Sequence, residues 1–143
     1  QARKLLKEAL ESGKALEKFR EMIRNQGGDD TVVDHPQSLL TAKYEQPFLA
    51  KKSGYVTKLV ANELGIAAML LGAGRRTKEE EIDYAVGLKL HKKVGDKVTE
   101  GEPLLTIYSN DLELSEVEHI LEKNIEIGEV AVELPLIHEI ITE

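Results

Sequence analysis

Phosphate recognition asks for backbone amides and cationic side chains converging on one point, and the run Leu71-Gly72-Ala73-Gly74-Arg75-Arg76 offers both within six residues. Gly72 and Gly74 let an anion approach the chain closely, and Arg75 and Arg76 bring two guanidiniums. The spacing is not G-x-G-x-x-G, however, and the glycines follow a helical pattern instead of opening one. The helix N-terminus that usually receives the anion is missing, so a helix stop is the favoured role. Metal chemistry finds still less. His35, His91, His119 and His138 are scattered, and Glu116 with His119 makes a single Glu-x-x-His where a di-metal bundle uses two copies and further glutamates. Residues 78–83, KEEEID, gather carboxylates, but neighbours on a helix or turn point in different directions, which suits a solvated face better than an acid–base pair. No residue is singled out as catalytic, cofactor-binding or metal-ligating.

The composition narrows the classes further. The 143 residues carry a formal charge of −7, which argues against nucleic acid as the main partner, because that binding rests on Lys and Arg neutralising phosphates. With 41% hydrophobic and 31% charged residues and no long apolar run, nothing points to a membrane. The absence of cysteine excludes disulfides, thiolate metal sites and a cysteine nucleophile in this stretch, and makes the cytoplasm the expected compartment. The N-terminal residues scatter charges where a signal peptide would be apolar. A chain that opens on Gln1 instead of Met suggests a piece of something longer.

The elements that must position these residues follow from hydrophobic periodicity. Leu5, Leu6, Ala9, Leu10, Leu16, Phe19, Met22 and Ile23 recur at helical spacing and predict one long amphipathic helix. Gly13 lies inside it, which suggests close packing against another backbone, and Gly27 and Gly28 close it. The apolar stripe needs a partner. Residues 29–43 read as a linker with little regular structure. Beyond Pro47, two short strands flank Ser53 and Gly54. A buried helix with Asn62 as N-cap and Leu64, Ala67, Ala68 and Leu71 on one face then ends at Gly72. Thr77 and Glu80 stand at capping-box spacing and predict a helical turn. Strand alternation marks Val86, Leu88 and Leu90, turns fall at Gly95-Asp96 and Gly101-Glu102, and LLTIY is the next strand. A last helix shows Leu114, Val117, Ile120 and Leu121, and two strands, IEIGEVAVEL and LIHEIIT, finish the chain. The expected fold is α+β: a long N-terminal helix in residues 1–28, a linker in 29–43, and a β subdomain with helical insertions in 44–143.

Part of the β region resembles the turns of biotinyl and lipoyl carrier domains. Lys52-Ser53-Gly54-Tyr55-Val56 and Gly95-Asp96-Lys97-Val98 with Pro103-Leu104 match those turns. The expected architecture is accordingly a barrel-sandwich hybrid, split by residues 62–85. A carrier also needs a lysine at a hairpin tip. The upstream Lys43 sits in a polar stretch without the flanking methionines of a biotinylation site, so the shared turns speak for a shared fold and not for cargo.

A wider resemblance covers the chain essentially end to end. SGKALEKFREMIRNQGGD (residues 12–29), AKKSGYV and ELGIAAMLLGAGRRTKEEEIDYAVGLKLHKKVGDKVTEGEPLLTIYSN are similar to the C-terminal part of the pyrimidine-nucleoside phosphorylase family, kin of thymidine phosphorylase. The resemblance implies a homodimeric pentosyltransferase that splits uridine- or thymidine-type nucleosides with inorganic phosphate as co-substrate, giving free base and pentose 1-phosphate. It implies no bound cofactor here. The family's phosphate loop and base-holding residues lie upstream of these motifs, so no catalytic role transfers to Gly72, Gly74, Arg75 or any other residue. The implied role is structural support for the α/β half of the enzyme, with the rest of the chain as partner and no activity in isolation. A biotinyl or lipoyl-type carrier domain and a free-standing interaction domain are the alternatives.

Overall fold

A computed structural model describes residues 1–142, which fall into two compact units, Gln1–Leu40 and the chain from Thr41 onward. In the first unit the expected long helix is two helices, α1 (Ala2–Glu11) and α2 (Lys14–Asn25). The break is Gly13, whose φ of 77° lies in the left-handed region that only glycine adopts cheaply. A Cβ on Gly13 would meet nothing within 4 Å, so backbone conformation explains this glycine and close packing does not. Gly27, at φ 76°, ends α2 as expected, with the Gly28 N–H donating to Ile23 O at 3.0 Å in the six-to-one bond of a Schellman cap.

Residues 29–40 hold two short 3-10 turns, Asp30–Val33 and Pro36–Ser38, the first capped by Asp29, which accepts from Thr31 N at 2.9 Å. Arg20 fastens this segment to α2. Its two terminal nitrogens donate to both carboxylate oxygens of Asp34 at 3.0 and 2.9 Å, and one also reaches Asp30 O at 3.2 Å. The bidentate guanidinium holds the Asp34 carboxyl below the usual aspartate range. The folded chain therefore binds this proton more weakly than the unfolded chain does. The pair stabilises above about pH 4 and its contribution is lost as pH falls below that. An NMR titration of Asp34 is expected to show a midpoint below about 3.9, the ordinary value, and Arg20→Gln to return it there. A midpoint unmoved by Arg20→Gln contradicts the assignment.

Among the described residues, the second unit contains six strands and two α-helices. Strands β1 (Tyr44–Leu49), β5 (Pro103–Ser109) and β3 (Gly87–Leu90) form one antiparallel sheet in the order β1-β5-β3. Strands β4 (Lys97–Val98), β2 (Gly54–Leu59) and β6 (Ile125–Gly128) form the other in the order β4-β2-β6. These two three-stranded sheets do not close into a barrel. Although β1 and β2 are joined by only four residues, they never pair, and each belongs to a different sheet. Each finds one partner in a second bent segment, β4 to β5. Tyr44 faces Ser109 at one end of the ribbon and Tyr55 faces Lys97 at the other. At the bend, Ala50 N donates to Glu102 O at 2.9 Å and Gly101 N donates to Ala50 O at 2.8 Å, so the backbone stays paired around the corner.

A bulge makes this bend useful. Phe48 faces Leu105 while Leu49 faces Pro103, leaving Leu104 as an extra residue on β5. Two successive leucines can then both be buried. Leu105 and Ile107 join Leu64, Ala67, Leu114, Val117 and Leu121 in one core, whereas Leu104 joins Ala50, Val56 and Val98 in another. Phe48, Leu59 and Ile125 pack against both and connect them.

The helices complete the first core. Helix α3 (Ala61–Ala68) contributes Leu64 and Ala67, and α4 (Ser115–Asn124) contributes Val117 and Leu121. Asn62 is not the N-cap of α3. That place belongs to Val60, and the Asn62 side chain donates to Glu63. Ile66 is exposed, so α3 is buried on one face only. Its last turn widens into a π turn, Met69–Ala73, that ends where Gly72 takes φ 105°. Residues 74–86 contain no helix, so the capping-box expectation fails: Glu80 accepts from Arg76 N at 2.8 Å and closes a turn. The two closing strands are also shorter than the alternation suggested. Only Ile125–Gly128 pairs, and residues 129–142 have no regular structure. No helix among the described residues is long and apolar enough to cross a membrane.

Candidate functional site

The Gly72 loop is anchored from below. Asp83 N donates to Gly72 O at 2.9 Å, and the Asp83 carboxylate accepts from Ala85 N at 2.9 Å and from Asn110 Nδ2 at 2.6 Å. Asn110 in turn accepts from Lys43 N at 2.9 Å, so one side chain ties the entry to β1, the exit of β5 and the loop together. Nothing in the sequence singles out Asn110, because its partners stand 27 and 67 residues away. Beyond this anchor, Arg75, Arg76, Thr77 and Lys78 surround an open concavity of about 620 Å³. All four are exposed. Their three positive charges can attract an anion, but no backbone amide row or helix start converges there with them.

The other residues considered for chemistry stay apart. Glu116 and His119 are both exposed on α4, and no group of three or more His, Asp or Glu able to hold a metal occurs among the described residues. His91 pairs with Thr106 Oγ1 at 2.8 Å and His35 with Gln37 at 3.4 Å. In residues 78–83 the acidic side chains diverge: Glu80 serves the turn, while Asp83 faces the Asn110 anchor.

Neither lysine of the carrier comparison occupies a hairpin tip. Lys43 precedes β1 with no strand before it, and Lys52 lies in the corner between β1 and β2, strands of different sheets. Its neighbour Lys51 donates to Glu122 at 2.6 Å and holds that carboxyl below the ordinary range. This ion pair stands at the rim of an apolar cleft of about 370 Å³, lined by Phe48, Leu49, Leu104, Ile125 and Ile127. The cleft was not apparent from the sequence, since its walls come from three separate stretches.

The two corner turns are built alike, and their chemistry is local. Lys93 N donates to Asp96 Oδ2 at 2.7 Å, and Thr99 N donates to Glu102 Oε2 at 2.9 Å. In each, an acidic side chain at the fourth position bonds back to the first backbone amide. Gly95 and Gly101, at φ 95° and 81°, supply the left-handed residue next to it. Lys92 also donates to the Glu102 carboxylate and is the larger reason why that carboxyl lies below its ordinary range. The groups with shifted titration all belong to turns and surface pairs.

Taken together, a bent antiparallel ribbon, two cores and a loop held by hydrogen bonds define an α+β module. The model of the pyrimidine nucleoside phosphorylase C-terminal domain matches residues 55–128, half of the chain, and the chain belongs to that family. Curated pyrimidine-nucleoside phosphorylases of Staphylococcus aureus strains bovine RF122 / ET3-1, USA300 and N315 are each 57% identical over 143 residues. That is 100% of this chain and 33% of each relative, so the chain spans about one third of the length of the curated relatives it matches.

Proposed function

We propose that this chain is the C-terminal portion of an enzyme that phosphorolyses pyrimidine nucleosides. In that reaction a phosphate oxygen forms a bond to the sugar C1′ as the bond from C1′ to the base nitrogen breaks. The bonding electrons leave with the base, which takes up a proton, and the products are free base and pentose 1-phosphate. The observation that carries the reading is 57% identity along the whole chain to enzymes named for this activity. Phosphate is the co-substrate, and the whole protein works in the cytoplasm as a homodimer.

The groups that hold phosphate and base lie in the two thirds of the enzyme upstream, and no residue of this chain is assigned catalysis, a cofactor or a metal. Its contribution is mechanical. Residues 1–28 are a piece of the α/β half, residues 29–43 a linker, and residues 44–143 a barrel-sandwich-like domain whose two sheets, joined at the Ala50 corner, stiffen the body that closes on substrate. Leu5, Leu6, Leu10, Leu16, Phe19 and Met22, 46–72% exposed, support this division, because such a stripe calls for an apolar partner. Rigid support matters to rate, since alignment of phosphate behind C1′ and exclusion of water depend on closure.

The test uses two preparations. The whole enzyme, given uridine or thymidine with inorganic phosphate, is expected to release base and accumulate pentose 1-phosphate, while this 143-residue chain alone releases none. Base release by the isolated chain would overturn the division of labour. A whole enzyme without phosphate-dependent cleavage would overturn the function. Unchanged mass after co-expression with biotin and lipoate ligases is the result expected against the carrier reading.

A further inference from the structure

The segment from Val130 to Ile141 is the least explained part of the second unit. Val130, Val132, Leu134, Leu136, Ile137, Ile140 and Ile141 are all exposed, from 38% at Val132 to 98% at Leu136. No residue from 130 to 142 makes a backbone hydrogen bond to the other described residues. The Val132 carbonyl lies beside Gly95, where an added Cβ would stand 3.0 Å from it. Seven large aliphatic side chains in twelve residues, with the backbone unpaired, make a binding element without its receptor. The pattern has two halves. Val130, Val132 and Leu134 alternate with Glu129, Ala131 and Glu133 at strand spacing. After Pro135, Leu136, Ile137, Ile140 and Ile141 share one face at helical spacing.

We propose that this segment is a strap that docks on the upstream two thirds of the same enzyme polypeptide, its first half adding a strand to an open sheet edge there. The proposal rests on the reading above that the chain is the C-terminal part of a longer phosphorylase. Three observations select this receptor. The relatives extend over three times the present length, so most of the body that this chain would contact lies outside it. The chain's own apolar cleft, about 370 Å³, is at the low end of a pocket for one small ligand and does not accommodate a twelve-residue strip. Charge disfavours a second copy of this chain: residues 129–142 carry Glu129, Glu133 and Glu139 with no Lys or Arg, and the chain as a whole has a charge of −7. Two such segments paired antiparallel would set like charges side by side. The receptor is therefore an apolar strip with a cationic rim, and the compact domain is fastened to the rest of the enzyme at both ends instead of hanging from residues 29–43.

The experiment places the photo-cross-linking amino acid benzoylphenylalanine at position 136 of the whole enzyme and maps the adducts by mass spectrometry. The expected adducts join position 136 to peptides upstream of the residue numbered Gln1, within one subunit. Adducts confined to residues 41–128, adducts between subunits, or no adduct would each overturn the proposal. Hydrogen exchange gives a second reading without substitution. Amides 130–134 are expected to exchange at least about tenfold more slowly in the whole enzyme than in this 143-residue chain, and equal rates would overturn the proposal. Phosphorolysis is assayed on the same sample. Loss of that activity bears on the function reading, while the adduct map judges the strap by itself.

Discussion

Leu105→Ala is expected to lower the unfolding free energy of the domain by about 2–5 kcal/mol, the cost of removing a buried aliphatic side chain and leaving a cavity. Leu105 is fully buried and stands beside the bulge where β5 feeds two cores, with Leu64, Ala67 and Leu121 around it. Collapse around the hole is hindered on one side by the paired backbone of β1 and β3. At an m-value of about 1–3 kcal/mol/M, the urea midpoint moves by about 0.7 M or more. Leu112→Ala is the control. Leu112 is exposed, so its truncation should change stability by less than about 0.5 kcal/mol. In the whole enzyme, Leu105→Ala is expected to lower the melting temperature while the ratio of kcat/KM for uridine and thymidine stays constant. A changed ratio at an unchanged melting temperature would contradict the proposed scaffold role.

Features whose cause is local in sequence were legible, and those that depend on distant partners were not. The turns at Gly95-Asp96 and Gly101-Glu102 carry their own chemistry, a left-handed glycine and an acid bonding back three residues, so the motif predicts the geometry. Helix α4 follows from Leu114, Val117 and Leu121 alone. By contrast, apolar spacing runs straight through Gly13, and only its backbone conformation turns one helix into two. The alternation of Val130, Val132 and Leu134 reads as a strand, yet a strand exists only where another backbone accepts its hydrogen bonds, and none is present among the described residues. The same limit hid the Asn110 anchor and the apolar cleft. For the candidate site, the spacing around Gly72 and Gly74 argued for a helix stop, and Gly72 at the end of the π turn is where the helix ends. What the sequence could not reveal is that Asp83, read as part of a solvated acidic run, is turned inward to hold that loop.

Gly54→Ala is expected to be the most damaging single-atom-scale change in the chain, costing about 3 kcal/mol or more. Two penalties coincide at this position. The φ of 156° disfavours any side chain, and a Cβ would stand 2.4 Å from Gly128 O and 2.9 Å from the Ile127 side chain. The neighbour that must give is backbone, and it belongs to β6, the strand that pairs with β2 through Tyr55 opposite Gly128. Moving it costs ladder hydrogen bonds or the packing of Ile127 on the second core. Gly101→Ala separates the two penalties. Its φ of 81° imposes strain, but nothing lies within 4 Å of the added atom, so it should lose only about 1–2 kcal/mol. Urea unfolding of both variants checks the order. Equal losses would mean that conformational strain alone decides, and that the contact between β2 and β6 can relax. The larger loss at Gly54 would place the close approach of these two backbones among the constraints that hold the second sheet together. It would also explain why a corner that resembles a carrier turn requires glycine at this position.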